Sequence, residues 1–154
     1  MSTLIDAGPA LVGIALGLAV GAFAALARFD RERVFYPTVT IVTASYYALF
    51  AVLGSDAVAL AWETASFLLF GFAAVLAFRR NLWIAVGALA GHAVFDSVHG
   101  RLIDNPGLPL WWPAFCLAFD VAAAAFLAFR MLGSRSAPAR GVQAAASTPE
   151  EYQS

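Results

Sequence analysis

His92, Asp96 and His99 stand at positions i, i+4 and i+7. At 3.6 residues per turn they share one narrow face of a helix. Two more carboxyl groups lie in apolar surroundings: Glu63, one turn before Ser66, and Asp120, one turn after Cys116. Carboxylates combined with imidazoles suit zinc, iron or manganese better than calcium. The same groups serve general acid–base chemistry. Three carboxylates held in low dielectric without Arg or Lys beside them cannot all stay ionised. Some must carry protons, which offers proton transfer, or a cation must compensate them. The spacing nominates Asp96, His99 and Asp120 as ligands of a divalent metal such as zinc, with Glu63 or His92 as the base. His92 with Asp96 is an alternative chelating pair. His92 and His99 are about 10.5 Å apart along a helix axis, so one ion is not expected to join them, and they cannot be the two axial ligands of one haem.

The elements that must position these residues are set by composition. The chain has 154 residues, of which 62% are apolar and 12% charged. Mean hydropathy is +0.79. A soluble domain averages about 45–50% apolar and about 25% charged residues, so a water-soluble core is excluded. A net charge of −1 and a pI near 6.0 argue against nucleic acid as a partner. The lone Cys116 excludes an intrachain disulfide. The opening Met-Ser-Thr-Leu-Ile-Asp has no basic segment, so a cleaved signal peptide is not expected. The class is all-α, an integral membrane bundle.

Five stretches approach the roughly 20 apolar residues that a bilayer-crossing helix needs. They run over about 9–27, 36–53, 56–78, 82–99 and 110–132. The membrane domain is thus 1–132, and 133–154, rich in Ser, Ala and Pro, reads as a disordered cytoplasmic tail. All nine basic residues are Arg, and eight of them fall on one side of this arrangement; Arg101 alone falls on the other. The positive-inside rule puts the Arg-rich side in the cytoplasm, with the N-terminus outside and the C-terminus inside a cell's inner (plasma) membrane. Counted from the outer ends at about 1.5 Å per residue, the ionisable groups lie from roughly 3 Å deep for His99 to roughly 15 Å for Asp120. An outward-facing His/Asp/Glu vestibule is the expectation, capped by the Gly100–Pro109 loop with its Asp-Asn-Pro-Gly turn. Tyr46 and Tyr47 read as packing groups or donors to that vestibule. Gly13, Gly17 and Gly21, and again Gly87 and Gly91, make smooth stripes that suit packing within the bundle or a homodimer.

The segment Gly91-His92-Ala93-Val94-Phe95-Asp96-Ser97-Val98-His99, followed by Asn105-Pro106-Gly107-Leu108-Pro109-Leu110-Trp111-Trp112-Pro113-Ala114-Phe115-Cys116 and Asp120, resembles a small multi-pass membrane family catalogued as a domain of unknown function. The resemblance spans most of 10–130 and implies the size and span pattern, not an activity. The His/Asp/His helix also resembles, more distantly, membrane hydrolases that bind zinc through Ser, Asp and His; this chain departs from them in having five spans and two His. Three functions remain open at this level. One is a cation-binding protein, extending to a metal hydrolase acting on a lipid-like or small-molecule ligand. The second is a proton-coupled carrier or permease. The third is a non-catalytic membrane subunit or scaffold.

Overall fold

The computed structural model describes residues 7–29 and 32–135 of the chain. They form five helices: α1 Ala7–Leu26, α2 Phe35–Leu53, α3 Ala57–Arg79, α4 Leu82–Leu102 and α5 Trp112–Arg135. All five are long and apolar enough to cross a membrane. The expected tail lies almost wholly in 136–154, outside the described residues, and α5 continues past 132 to Arg135. At the other boundaries the structure differs by about a turn at most. The largest shift is in α4, which runs on to Leu102 rather than stopping at His99 and so sets Asp96 and His99 three residues deeper.

Local chemistry explains the ends. Asp56 caps α3, its carboxylate accepting from the Ala59 N–H at 2.8 Å. Asn81 caps α4 by accepting from the Trp83 N–H at 2.9 Å. Between α2 and α3 the chain reverses over Gly54 and Ser55, the latter at φ 54°, with the Asp56 N–H returning to the Ala51 carbonyl at 3.3 Å.

The bundle turns its large apolar side chains outward. Leu11, Val12, Phe23, Val58, Leu68, Leu69, Phe72 and Phe129 are all more than half exposed, as befits helices solvated by lipid. Its core is instead rich in alanine, with Ala24, Ala51, Ala74, Ala77, Ala85 and Ala123 fully or almost fully buried. Small residues matter because hydrophobicity does not drive helix association inside lipid, and close backbone approach must do so. α1 packs on α5, α4 on both α3 and α5, and α2 mainly on α3. The Gly13/Gly17/Gly21 stripe is the α1–α5 seam: a Cβ at Gly17 would sit 2.7 Å from the Phe119 carbonyl oxygen and 2.9 Å from Ala122 Cβ. The stripe thus serves packing within the bundle. Gly87 and Gly91 are different. They face outward, with nothing within 4 Å of a Cβ at Gly87.

At one end of the bundle the core is built of apolar side chains around Ala77, Leu89, Phe119 and Leu127, with Tyr36 among them and the buried Thr40 hydroxyl returned to the Tyr36 carbonyl. The other end carries the α2–α3 turn and the α4–α5 loop, and there the interior becomes polar. The loop is pressed onto the turn: a Cβ at Gly54 would meet the Gly107 nitrogen at 2.6 Å, and one at Gly107 would collide with the Phe50 carbonyl. We expect Gly17→Leu to lower stability by about 1–3 kcal/mol through overpacking, whereas Gly87→Leu should change it by less than about 0.5 kcal/mol. Thermal unfolding in one detergent compares them.

Candidate functional site

α4 supplies one face, burying His92, Asp96 and His99 together with Ala85, Leu89 and Ala93. α5 lies against it and brings Cys116 and Asp120, one turn apart, to the level of His92. His92 Nδ1 is 2.7 Å from Asp120 Oδ2 and 3.6 Å from Asp96 Oδ2. The Cys116 sulfur is 4.0 Å from the same imidazole nitrogen and 3.9 Å from Asp120 Oδ2. One donor atom from each of His92, Asp96, Cys116 and Asp120 falls within 4.8 Å of the other three. Two donors bound tetrahedrally to zinc at about 2.1 Å lie about 3.4 Å apart. The observed spacings bracket that value, so the four atoms outline a cage of metal-binding size.

A second group lies nearer the loop. His99 Nε2 and Glu63 Oε1 are 2.7 Å apart. The Asn105 amide, from the α4–α5 loop, donates to the same Glu63 oxygen at 2.9 Å and to the Tyr47 carbonyl at 3.1 Å. Asn105 Oδ1 in turn accepts from the Gly107 N–H at 3.3 Å. Tyr47 joins the two groups. Its hydroxyl donates to Asp96 Oδ1 at 2.6 Å, and its ring lies over His99 with centroids 4.4 Å apart. Phe70 closes the other side of His92, edge-on at 4.7 Å.

The network is sealed. Glu63, His92, Asp96, His99 and Asp120 are 0–3% exposed. The outward-facing vestibule expected from depth alone is therefore closed, because Asn105 and the loop behind it fill its mouth. The carboxylates are partnered by histidine, Tyr47 and Asn105 rather than by arginine. Several lone pairs have no hydrogen-bond partner, among them Asp96 Oδ2, Asp120 Oδ1 and Glu63 Oε2, and so does His99 Nδ1. Unsatisfied buried polar atoms are uncommon and each needs a physical account.

The expected residues separate into two sets. Of the nominated metal ligands, Asp96 and Asp120 converge, while His99 stands with Glu63. His99 lies about 10.5 Å along α4 from His92, level with the second turn of α3. His92, nominated as a base, sits between the two aspartates. Glu63, the other nominated base, is outside the four-residue cage.

Tyr47, Cys116 and Asn105 gain roles that spacing left open or did not suggest. Tyr47 continues a buried stripe of α2 (Tyr36, Thr40, Thr43, Tyr47), which was the legible signal that its hydroxyl faces inward. Cys116 shares a face with Asp120. Asn105 carried no such signal, since an Asn-Pro-Gly run is ordinary turn chemistry. Comparison with protein-family models, curated proteins and solved structures yields no match.

Asn105 holds the loop to the site. Asn105→Ala removes donors from a buried carboxylate and should cost about 1–3 kcal/mol. Backbone amides of the 103–109 loop should then exchange hydrogen faster while those of α1 do not, as read by hydrogen-exchange mass spectrometry.

Proposed function

We propose that this chain is a multi-pass protein of the plasma membrane whose interior binds one divalent metal ion, zinc being the best match, through His92, Asp96, Cys116 and Asp120. The observation that carries the reading is the convergence of four buried donor atoms of mixed N, O and S type within 4.8 Å. Such a donor set suits zinc among the common metals. Charge supports it as well. Zinc takes cysteine as the thiolate and histidine as the neutral imidazole, so a divalent cation would offset two of the three negative charges that the two aspartates and Cys116 would bring together. The unpartnered oxygens Asp96 Oδ2 and Asp120 Oδ1 gain a partner on the same terms.

In this reading Tyr47 positions Asp96 through its 2.6 Å hydrogen bond, the outer-shell support that metal ligands commonly have. With four protein donors the tetrahedral shell of zinc would be filled, as in a structural site, and the ion would supply Lewis-acid chemistry or an activated water only where one donor gave up its place. Glu63 and His99 form the neighbouring ionisable pair, with Tyr47 between it and the cage, its hydroxyl on Asp96 and its ring over His99. A second reading, a proton-coupled carrier, is favoured by the two buried His–carboxylate pairs at one end of the bundle, His92–Asp120 and His99–Glu63, since ionisable groups at membrane depth mark proton pathways. In both readings the Arg-rich ends face the cytoplasm and the α4–α5 loop faces outward.

Elemental analysis of detergent-purified protein tests the metal reading. We expect about one equivalent of zinc, and a drop of roughly tenfold or more in Asp120→Ala and Asp96→Ala, with Glu63→Gln retaining the metal. Absence of metal in the unaltered protein would overturn it. The pH dependence has a definite sign. His92 Nδ1 lies in hydrogen-bond range of Asp120 and must be free of a proton to ligate. Binding therefore releases a proton, and zinc occupancy should fall as pH is lowered. Proton release on zinc addition, followed by isothermal titration in buffers of different ionisation enthalpy, checks this.

A further inference from the structure

The end of the bundle opposite the polar network carries arginine. Arg33 lies just before α2, Arg79 closes α3 and Arg80 follows it, and all three are exposed. Arg33 Nη1 donates to the Arg80 carbonyl at 3.4 Å, so its side chain reaches from the start of α2 to the end of α3. A guanidinium has five N–H donors, and this long contact engages one of them. Among the described residues no carboxylate forms an ion pair with Arg33, Arg79 or Arg80. Glu32 stands next to Arg33 in the chain, yet it is exposed and pairs with none of them. The last carbonyls of α3 attract one cation; they do not answer three.

Directly inward of these arginines, α2 and α3 leave a groove of about 230 Å³. Val34, Thr38 and Ile41 line it from α2, and Val75 and Phe78 from α3. Val75, Phe78 and Arg79 stand at i, i+3 and i+4, so Arg79 continues the α3 wall outward. Arg33 heads the α2 wall. From Val34 to Ile41 the groove runs about 10.5 Å along α2. That is less than the roughly 15 Å of hydrocarbon in one leaflet, so the groove stays in the half of the bilayer beside the arginines. It is smaller than the roughly 300–1,000 Å³ of a small-ligand pocket. It can take part of a chain, and the recognised end of such a molecule must lie at the charges.

We propose that Arg33, Arg79 and Arg80 hold one anionic phospholipid, its phosphate between Arg33 and Arg79 and one acyl chain along the α2–α3 groove. Charge complementarity names the occupant. Guanidinium groups bind phosphate through paired N–H···O contacts, and basic pockets between membrane helices at headgroup level take anionic lipids. A zwitterionic lipid brings its own cation to the phosphate and leaves the surplus positive charge standing. The site is at the far end of the bundle from the metal cage and does not rest on the metal reading.

Delipidated protein in detergent is titrated with dioleoylphosphatidylglycerol or dioleoylphosphatidylcholine, and bound lipid is counted by native mass spectrometry. The two lipids share their chains, so the comparison reads the headgroup. We expect one phosphatidylglycerol, bound about tenfold tighter than phosphatidylcholine. Arg79→Gln should weaken it about fivefold, the effect of one basic side chain at an anionic headgroup, and Arg33→Gln combined with Arg79→Gln about twenty-fivefold. Arg101→Gln removes the same charge at the opposite end and should change nothing. Val75→Trp fills the groove and should weaken both lipids. All these side chains are exposed, and circular dichroism checks that each variant keeps its helices. Equal affinity for the two lipids in the unaltered protein overturns the proposal. So does a loss in Arg101→Gln equal to that in Arg79→Gln, or binding undiminished in Val75→Trp. Displacement of the lipid by excess inorganic phosphate would point to a free-ion site and overturn it too.

Discussion

A carboxylate buried away from water must be neutralised, and this requirement governs the polar end of the bundle. Moving an unpaired anion into a medium of low dielectric costs far more than any packing contact returns. The chain buries Glu63, Asp96 and Asp120 completely or nearly so, and it offers them histidine, a phenol and an amide instead of arginine. His99 and Asn105 answer Glu63. Around His92 the ratio is less favourable, because two aspartates share one imidazole nitrogen. One imidazole nitrogen cannot satisfy both: the Tyr47 hydroxyl holds one oxygen of Asp96, but Asp96 Oδ2 and Asp120 Oδ1 are left without a hydrogen-bond partner, and it is there that the proposed cation would sit.

The rest of the architecture serves that placement. Glycine on α1 brings its backbone against α5, and alanine throughout the core lets α4 and α5 approach closely enough for side chains as short as Asp120 and Cys116 to reach His92. The Gly54–Gly107 contact pins the α4–α5 loop to the α2–α3 turn, so Asn105 projects inward at a fixed depth. Without those two glycines the loop would stand off and the network would open to the exterior. The interior is therefore built from close backbone approach, as expected where lipid replaces water.

The five helices were legible from hydropathy because every span is nearly continuous in apolar residues. The partition of the polar groups was less so. Helical spacing places His92, Asp96 and His99 on one face, but it carries no information about which neighbouring helix lies opposite each turn. That depends on the antiparallel register of α3 and α5 against α4, and the register sends His99 to Glu63 and His92 to Asp120. Depth counted from the sequence put all these groups in one half of the bundle, and the structure gathers them at one end. It did not disclose that a loop asparagine closes that end, because the signal for a turn and the signal for a plug are the same residues. Tyr47 was more accessible to reasoning, as its stripe with Thr40 and Thr43 repeats at helical spacing.

Anomalous scattering at the zinc absorption edge tests the central claim most directly. In crystals of zinc-replete protein the account predicts one strong peak inside the cage, about 2.0–2.3 Å from His92 Nδ1, the Cys116 sulfur and an oxygen of each aspartate. No peak there, with His92 Nδ1 still in hydrogen-bond contact with Asp120, would contradict it.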